Sequence, residues 1–80
     1  MDVRNMKLLE PNEKLIRLLL PRLERISVDS YWAHRASGVR GALVKILEQI
    51  ETGAEVDPAS LQTNITVGFE ILREAAEEYT

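Results

Sequence analysis

The hydrophobic positions of this chain fall into three stretches at helical spacing, separated by residues that start and stop helices. The first stretch covers 11–27. Leu15, Ile16, Leu19, Leu20, Leu23 and Ile26 form a wide apolar stripe along one side of a helix. Pro11 suits the first helical position, because the N–H it lacks would be unpaired there in any case. Pro21 sits inside the stripe, where it removes a backbone hydrogen bond and crowds the preceding turn. A kink is predicted there, or two short helices meeting at Leu20. Leu18 falls off the stripe and is a candidate for external contact.

The second stretch, 30–52, opens after Asp29 or Ser30, either of which can cap a helix. It closes at Gly53, suited to a left-handed C-terminal cap. Trp32, Ala36, Val39, Leu43, Ile46 and Ile50 step by four and three residues alternately, which is a heptad seam. The third stretch, 58–79, begins with Asp57 as cap and Pro58 at the first helical position. Val56 before the cap and Leu61 in the first turn form a hydrophobic staple. Its seam is Leu61, Ile65, Gly68, Leu72, Ala75 and Tyr79. Residues 1–10 read as an N-terminal segment.

The prediction is an all-α chain, 1–80 as one domain: a three-helix bundle built on an antiparallel helical hairpin, its first helix kinked at Pro21. The short connection between the second and third helices folds the two seams onto each other. That register pairs Leu43 with Gly68, Ala36 with Ala75, and Trp32 with Tyr79. The first helix covers the groove between them.

Length and composition narrow what such a bundle can be. Eighty residues with no cysteine leave no disulfide or thiolate metal site, so stability rests on one modest core or on a partner. At 45% hydrophobic residues the chain is too apolar to be disordered. No stretch approaches the ~20 apolar residues of a membrane span, and the N-terminus lacks the pattern of a signal peptide. The reading is a soluble, cytoplasmic protein without a membrane role.

Charge is divided unevenly. Residues 1–45 hold nine of the ten Lys and Arg and five acids, a net of +4. Residues 46–80 hold one basic residue and eight acids, a net of −7. The halves should attract each other, within one chain or between copies. Glu74, Glu77 and Glu78 crowd the end of a helix, where the macrodipole disfavours negative charge. Arg22, Arg25, Arg35 and Arg40 are the expected partners.

The chemical inventory is thin. The single histidine, His34, lies on a polar helix face beside Arg35. No phosphate loop or metal-ligand cluster appears. Glu70, Glu74 and Glu78 line one side of the third helix without further ligands, so a solvated acidic face is the simpler reading than a metal site. No catalytic activity, cofactor or metal is expected.

What remains points to contact surfaces. Ala33, Ser37 and Gly41 recur every four residues, with Gly38 adjacent. Glycine inside a helix costs up to about 1 kcal/mol relative to alanine, so another backbone approaching closely is predicted, from the first helix or from a partner. Arg40 sits at the edge of the apolar stripe, as a partner contact or as a packed stem whose guanidinium pairs with a third-helix glutamate. Val67 and Ile71 lie off the seam and form an apolar patch to be covered by Met6, Leu8 and Leu9 or by a partner. The candidate interface is therefore Leu18, Ala33, Ser37, Arg40, Gly41, Val67 and Ile71. The sequence reads as a helical protein–protein interaction or adaptor module that self-associates, most simply as a homodimer. The alternative is a nucleic-acid-associated regulator using the basic face of the second helix, where Arg35, Lys45 and His34 sit. The acidic half and the absence of aromatic residues among those basic ones disfavour nucleic acid.

Overall fold

In a computed structural model, the backbone is described from residue 3 to residue 78 and the side chains from residue 11 to residue 78. Three helices account for nearly all of it: α1 (Val3–Glu24), α2 (Ala33–Thr52) and α3 (Pro58–Glu78). The described chain contains no strand. Each helix packs on the other two, and the Cα atoms span 44 × 18 × 17 Å. Side chains on a narrow bundle of this kind meet along one central seam.

The first helix differs from its predicted form at both ends. It begins at Val3 rather than Pro11 and stops at Glu24 rather than at residue 27. It also runs unbroken through Pro11 and Pro21, so there are not two short helices meeting at Leu20. Each proline forfeits one backbone bond. Ile16 and Leu19 before Pro21 and Leu23 after it all lie in the core, and that packing holds the helix together across the gap. The last turn tightens: the amides of Arg25 and Ile26 donate to the carbonyls of Arg22 and Leu23, both at 3.3 Å, three residues back rather than four.

The second helix starts three residues later than predicted, and neither Asp29 nor Ser30 is its cap. Trp32 occupies that position without a side-chain hydrogen bond to the helix. Ser30 acts one turn earlier. Its hydroxyl oxygen accepts from the Trp32 amide at 3.1 Å, and its carbonyl accepts from Ala33 at 3.1 Å. The C-terminus follows expectation. Gly53 has φ 75°, its amide donates to the Ile50 carbonyl, and Ala54 donates to the Gln49 carbonyl. These are the two reversed bonds of a Schellman motif, and the positive φ is one that a Cβ would strain.

The third helix is capped as read. Asp57 Oδ1 accepts from the Ala59 amide at 3.2 Å, and the Asp57 carbonyl accepts the Leu61 amide at 3.0 Å. Leu61 is buried, with Val56 packed against the same core. Tyr79 lies outside the described residues, so its pairing with Trp32 does too.

The core joins Ile16, Leu19 and Leu23 of α1 to Ala36, Leu43 and Ile46 of α2 and Leu61, Ile65 and Ile71 of α3. Two seam assignments change. Ile71, not Leu72, is the fully buried residue of its turn, at 1% exposed, and Leu72 is half-buried. Gly68 makes room for α1 rather than for Leu43: a Cβ there would meet Leu19 Cδ1 at 3.3 Å and Val39 Cγ1 at 3.8 Å. The buried line of α3 is thus turned from the predicted seam toward the side of the helix that faces α2.

Candidate functional site

The predicted interface residues separate into three groups. Val67 and Ile71 do not form a surface patch: Ile71 is in the core and Val67 is half-buried against it. Both lie on the side of α3 that turns toward α2. Met6, Leu8 and Leu9, the expected covers, lie outside the described side chains. Leu18 does reach the surface, at 43% exposed.

Ala33, Ser37, Arg40 and Gly41 share one edge of α2, turned outward beside α1. Ala33, Ser37 and Arg40 line a shallow groove of about 300 Å³ together with Leu23, Ile26 and Val28 from the end of α1 and the turn after it. The close approach expected of the glycines does not come from the described residues. A Cβ at Gly38 or at Gly41 would meet nothing within 4 Å among the described residues.

Arg40 pairs with α1 rather than with a glutamate of α3. Its Nη1 lies 3.3 Å from Glu24 Oε1. One turn and more away, Arg17 lies 3.0 Å from Glu13 and 2.7 Å from Glu51. The hydrogen bonds that Arg17 donates to Glu13 and Glu51, the larger cause first, hold its guanidinium above its ordinary range. Opposed charges of the two halves therefore meet within the chain through Arg17 and Glu51.

The crowded glutamates at the end of α3 find other partners than those expected. Glu78 Oε2 accepts from the Ser30 hydroxyl at 2.7 Å, and Oε1 accepts from the Tyr31 amide at 3.1 Å. A carboxylate at the wrong end of its own helix thus sits just ahead of the N-terminus of α2, where the dipole favours it. Glu74 lies 3.5 Å from its neighbour Arg73. The sequence could not reveal the Glu78 contact, because it joins residues 48 apart through a turn whose conformation no periodicity encodes.

At the same end of the bundle an aromatic pair does sit among basic residues. Tyr31 and Trp32 meet edge to face with ring centroids 5.3 Å apart, and the Arg35 guanidinium lies 5.5 Å over the Trp32 ring. Tyr31 is 81% exposed and Val28 91%. Neither these two nor exposed Phe69 belonged to the predicted interface, since a lone apolar residue off a seam carries no periodic signal.

Among the described residues no group of three or more His, Cys, Asp or Glu could hold a metal ion. No helix is long and apolar enough to cross a membrane. Among the described residues no buried side-chain nitrogen or oxygen lacks a partner, so no orphaned polar group there marks a ligand pocket. The chain matches no protein-family model, no curated protein and no solved structure.

Proposed function

We propose that this chain is a small helical protein–protein interaction module that self-associates, as a homodimer, through the outer edge of α2. The observation that carries the reading is the pair of glycines inside that helix. Gly38 and Gly41 each weaken α2 by up to about 1 kcal/mol relative to alanine, and nothing within the described chain uses the space they leave. A second backbone packed across Ala33, Ser37 and Gly41 gives that space a use. The neighbouring groove offers apolar walls from Leu23, Ile26 and Val28. Arg40 and Glu24 supply a charged edge of both signs, which suits a two-fold contact in which each residue meets its complement.

In this reading α2 and α3 form an antiparallel hairpin, and α1 bends at Pro21. Three contacts support the hairpin. Lys45 and Gln49 share a groove with Asp57 and Ser60, Val39 lies near Gly68, and Ser30 bonds Glu78. As the first partner advances, the second retreats. The bend is supported by the hydrogen bond that Pro21 cannot donate.

Sedimentation equilibrium of the full chain tests the proposal. A monomer–dimer equilibrium is expected, abolished by Gly41→Leu. Gly41 faces open space, so that variant should keep or raise the monomer's melting temperature. A concentration-independent monomer, or a dimer unaffected by Gly41→Leu, overturns it.

One observation favours nucleic acid as a second reading: Arg35 and His34 beside Trp32 and Tyr31. Arg35 already covers the outer face of Trp32, and Lys45 lies at the far end of α2. Binding to an oligonucleotide that weakens steeply with salt would support this alternative.

A further inference from the structure

The second long groove of the bundle, between α1 and α3, is built differently from the first. Leu19 packs against Gly68, which brings the two helices close at that level. The next residues outward on each helix are Leu18 and Phe69, 43% and 41% exposed. They flank the Leu19–Gly68 contact as an apolar pair. One turn further along both helices the groove continues, with Ile26, Leu72, Ala75 and Ala76 as its floor and Arg22 and Arg25 on its rim. Contacts advance in the same direction along both helices, so α1 and α3 run parallel here.

On the α1 edge of this groove the charge has one sign. At 100° per residue, the α1 side facing away from α2 carries Lys14, Arg22 and Arg25. The matching side of α3 carries Gln62, Phe69, Arg73 and Ala76. Among the described residues no Asp or Glu projects between these two edges; Glu13 and Glu24 fall on the opposite side of α1. Arg25 forms no ion pair among the described residues, and Arg22 donates only to the Leu18 carbonyl at 3.5 Å. Arg73 on the facing edge lies 3.5 Å from Glu74, but in a chain of net charge −3 three basic residues along the α1 rim of an apolar trough are a marked segregation.

The geometry points to this groove as the docking site for an acidic amphipathic helix of another protein, which would complete a four-helix bundle. A trough between two parallel helices is the shape that receives a third helix beside them. Leu18, Phe69 and Leu72 would meet its apolar stripe, and Lys14, Arg22, Arg25 and Arg73 its flanking carboxylates. A second copy of this chain is not the occupant. A two-fold contact through the same face would set arginines against arginines. Phosphate backbones would leave Leu18 and Phe69 uncovered, and a flat lipid surface does not enter a trough. The inference rests on the reading of the chain as an interaction module, but it uses a face separate from the α2 edge. Sedimentation reads the one and peptide binding the other.

The probe is a fluorescein-labelled peptide of roughly 18 residues, about five helical turns, with leucines at seam positions and glutamates flanking them. A matched peptide has lysines in place of the glutamates. Fluorescence anisotropy with the full chain should show saturable binding of the glutamate peptide, about tenfold or more tighter than the lysine peptide, because like charges at an interface are penalised. Arg22→Glu with Arg25→Glu should invert that preference. Phe69→Ser should weaken both peptides without a change in the helical circular dichroism signal. Backbone amide shifts on titration should cluster at Leu18, Phe69 and Ala76. Failure of the glutamate peptide to bind, equal binding of both peptides, insensitivity to the charge reversal, or shifts confined to α2 would overturn the proposal. So would displacement of the peptide by an oligonucleotide or by anionic phosphatidylserine vesicles.

Discussion

The two grooves flanking α1 start from the same helix and end with opposite character. On the α2 side, Arg17 reaches Glu13 and Glu51 and Arg40 reaches Glu24, so cations and carboxylates alternate along the rim. On the α3 side, Lys14, Arg22 and Arg25 face an apolar trough with no carboxylate between them and α3. The residue just outside each close contact also differs. Beside α2 the outward positions are Ser37 and Gly41, which admit another backbone. Beside α3 they are Leu18 and Phe69, which offer area. The difference teaches that a bundle of fixed core can carry two surfaces with separate chemistries: one self-complementary in charge, the other complementary only to something acidic.

That contrast can be broken or sharpened by substitution. The largest expected effect separates core from surface on α3. Ile71→Ala should cost about 2–5 kcal/mol as a fully buried truncation, whereas Phe69→Ala should cost about 1 kcal/mol or less. Urea denaturation followed by circular dichroism checks both; equal losses would mean that the α3 edge beside α1 is core.

Next in size is the close approach that creates the α1–α3 trough. Gly68→Leu should overfill the space beside Leu19 and cost about 1–3 kcal/mol, despite leucine's better helix propensity. A melting temperature at or above the parent's would show that α1 does not pack there.

The clamp at the end of the bundle comes third. Glu78→Ala should cost about 1 kcal/mol, as the Ser30 hydroxyl and the Tyr31 amide lose their acceptor. Amide exchange at Tyr31 should quicken selectively; uniform exchange changes would argue against a local clamp.

The smallest effect concerns the rims. Arg40→Ala should cost about 0–1 kcal/mol, diminishing with added salt. Arg25→Ala should cost no stability at all, since Arg25 has no ion pair to lose among the described residues. Thermal melts in low and high salt distinguish the two.

Much of the fold was legible in the sequence because it depends on local signals. Gly53, Asp57 and the heptad steps of α2 each act over a few residues, and each appears in the structure as read. What failed depended on contacts between distant elements. The start of α2 lies later than predicted because Ser30, a good capping residue by composition, is engaged by Glu78 from across the bundle. Ile71 falls off the predicted seam because the heptad steps pass through Leu72, whereas the buried line of α3 is turned toward α2 and takes in Ile71. Of the candidate interface, Leu18, Ser37 and Gly41 are exposed and Ala33 and Arg40 half-buried. Phe69 escaped notice because it becomes meaningful only beside Leu18, and the pairing of α1 with α3 has no signature in spacing.

If the outer edge of α2 meets a second copy of itself, a cross-link can report it, because the chain contains no cysteine. Ser37→Cys places one thiol at the middle of that edge, and Thr66→Cys places one on α3, away from it. Under mild oxidation at micromolar concentration, Ser37→Cys should form a covalent dimer rapidly and Thr66→Cys should form little. Equal rates for the two variants, or no cross-link through Ser37→Cys, would contradict it.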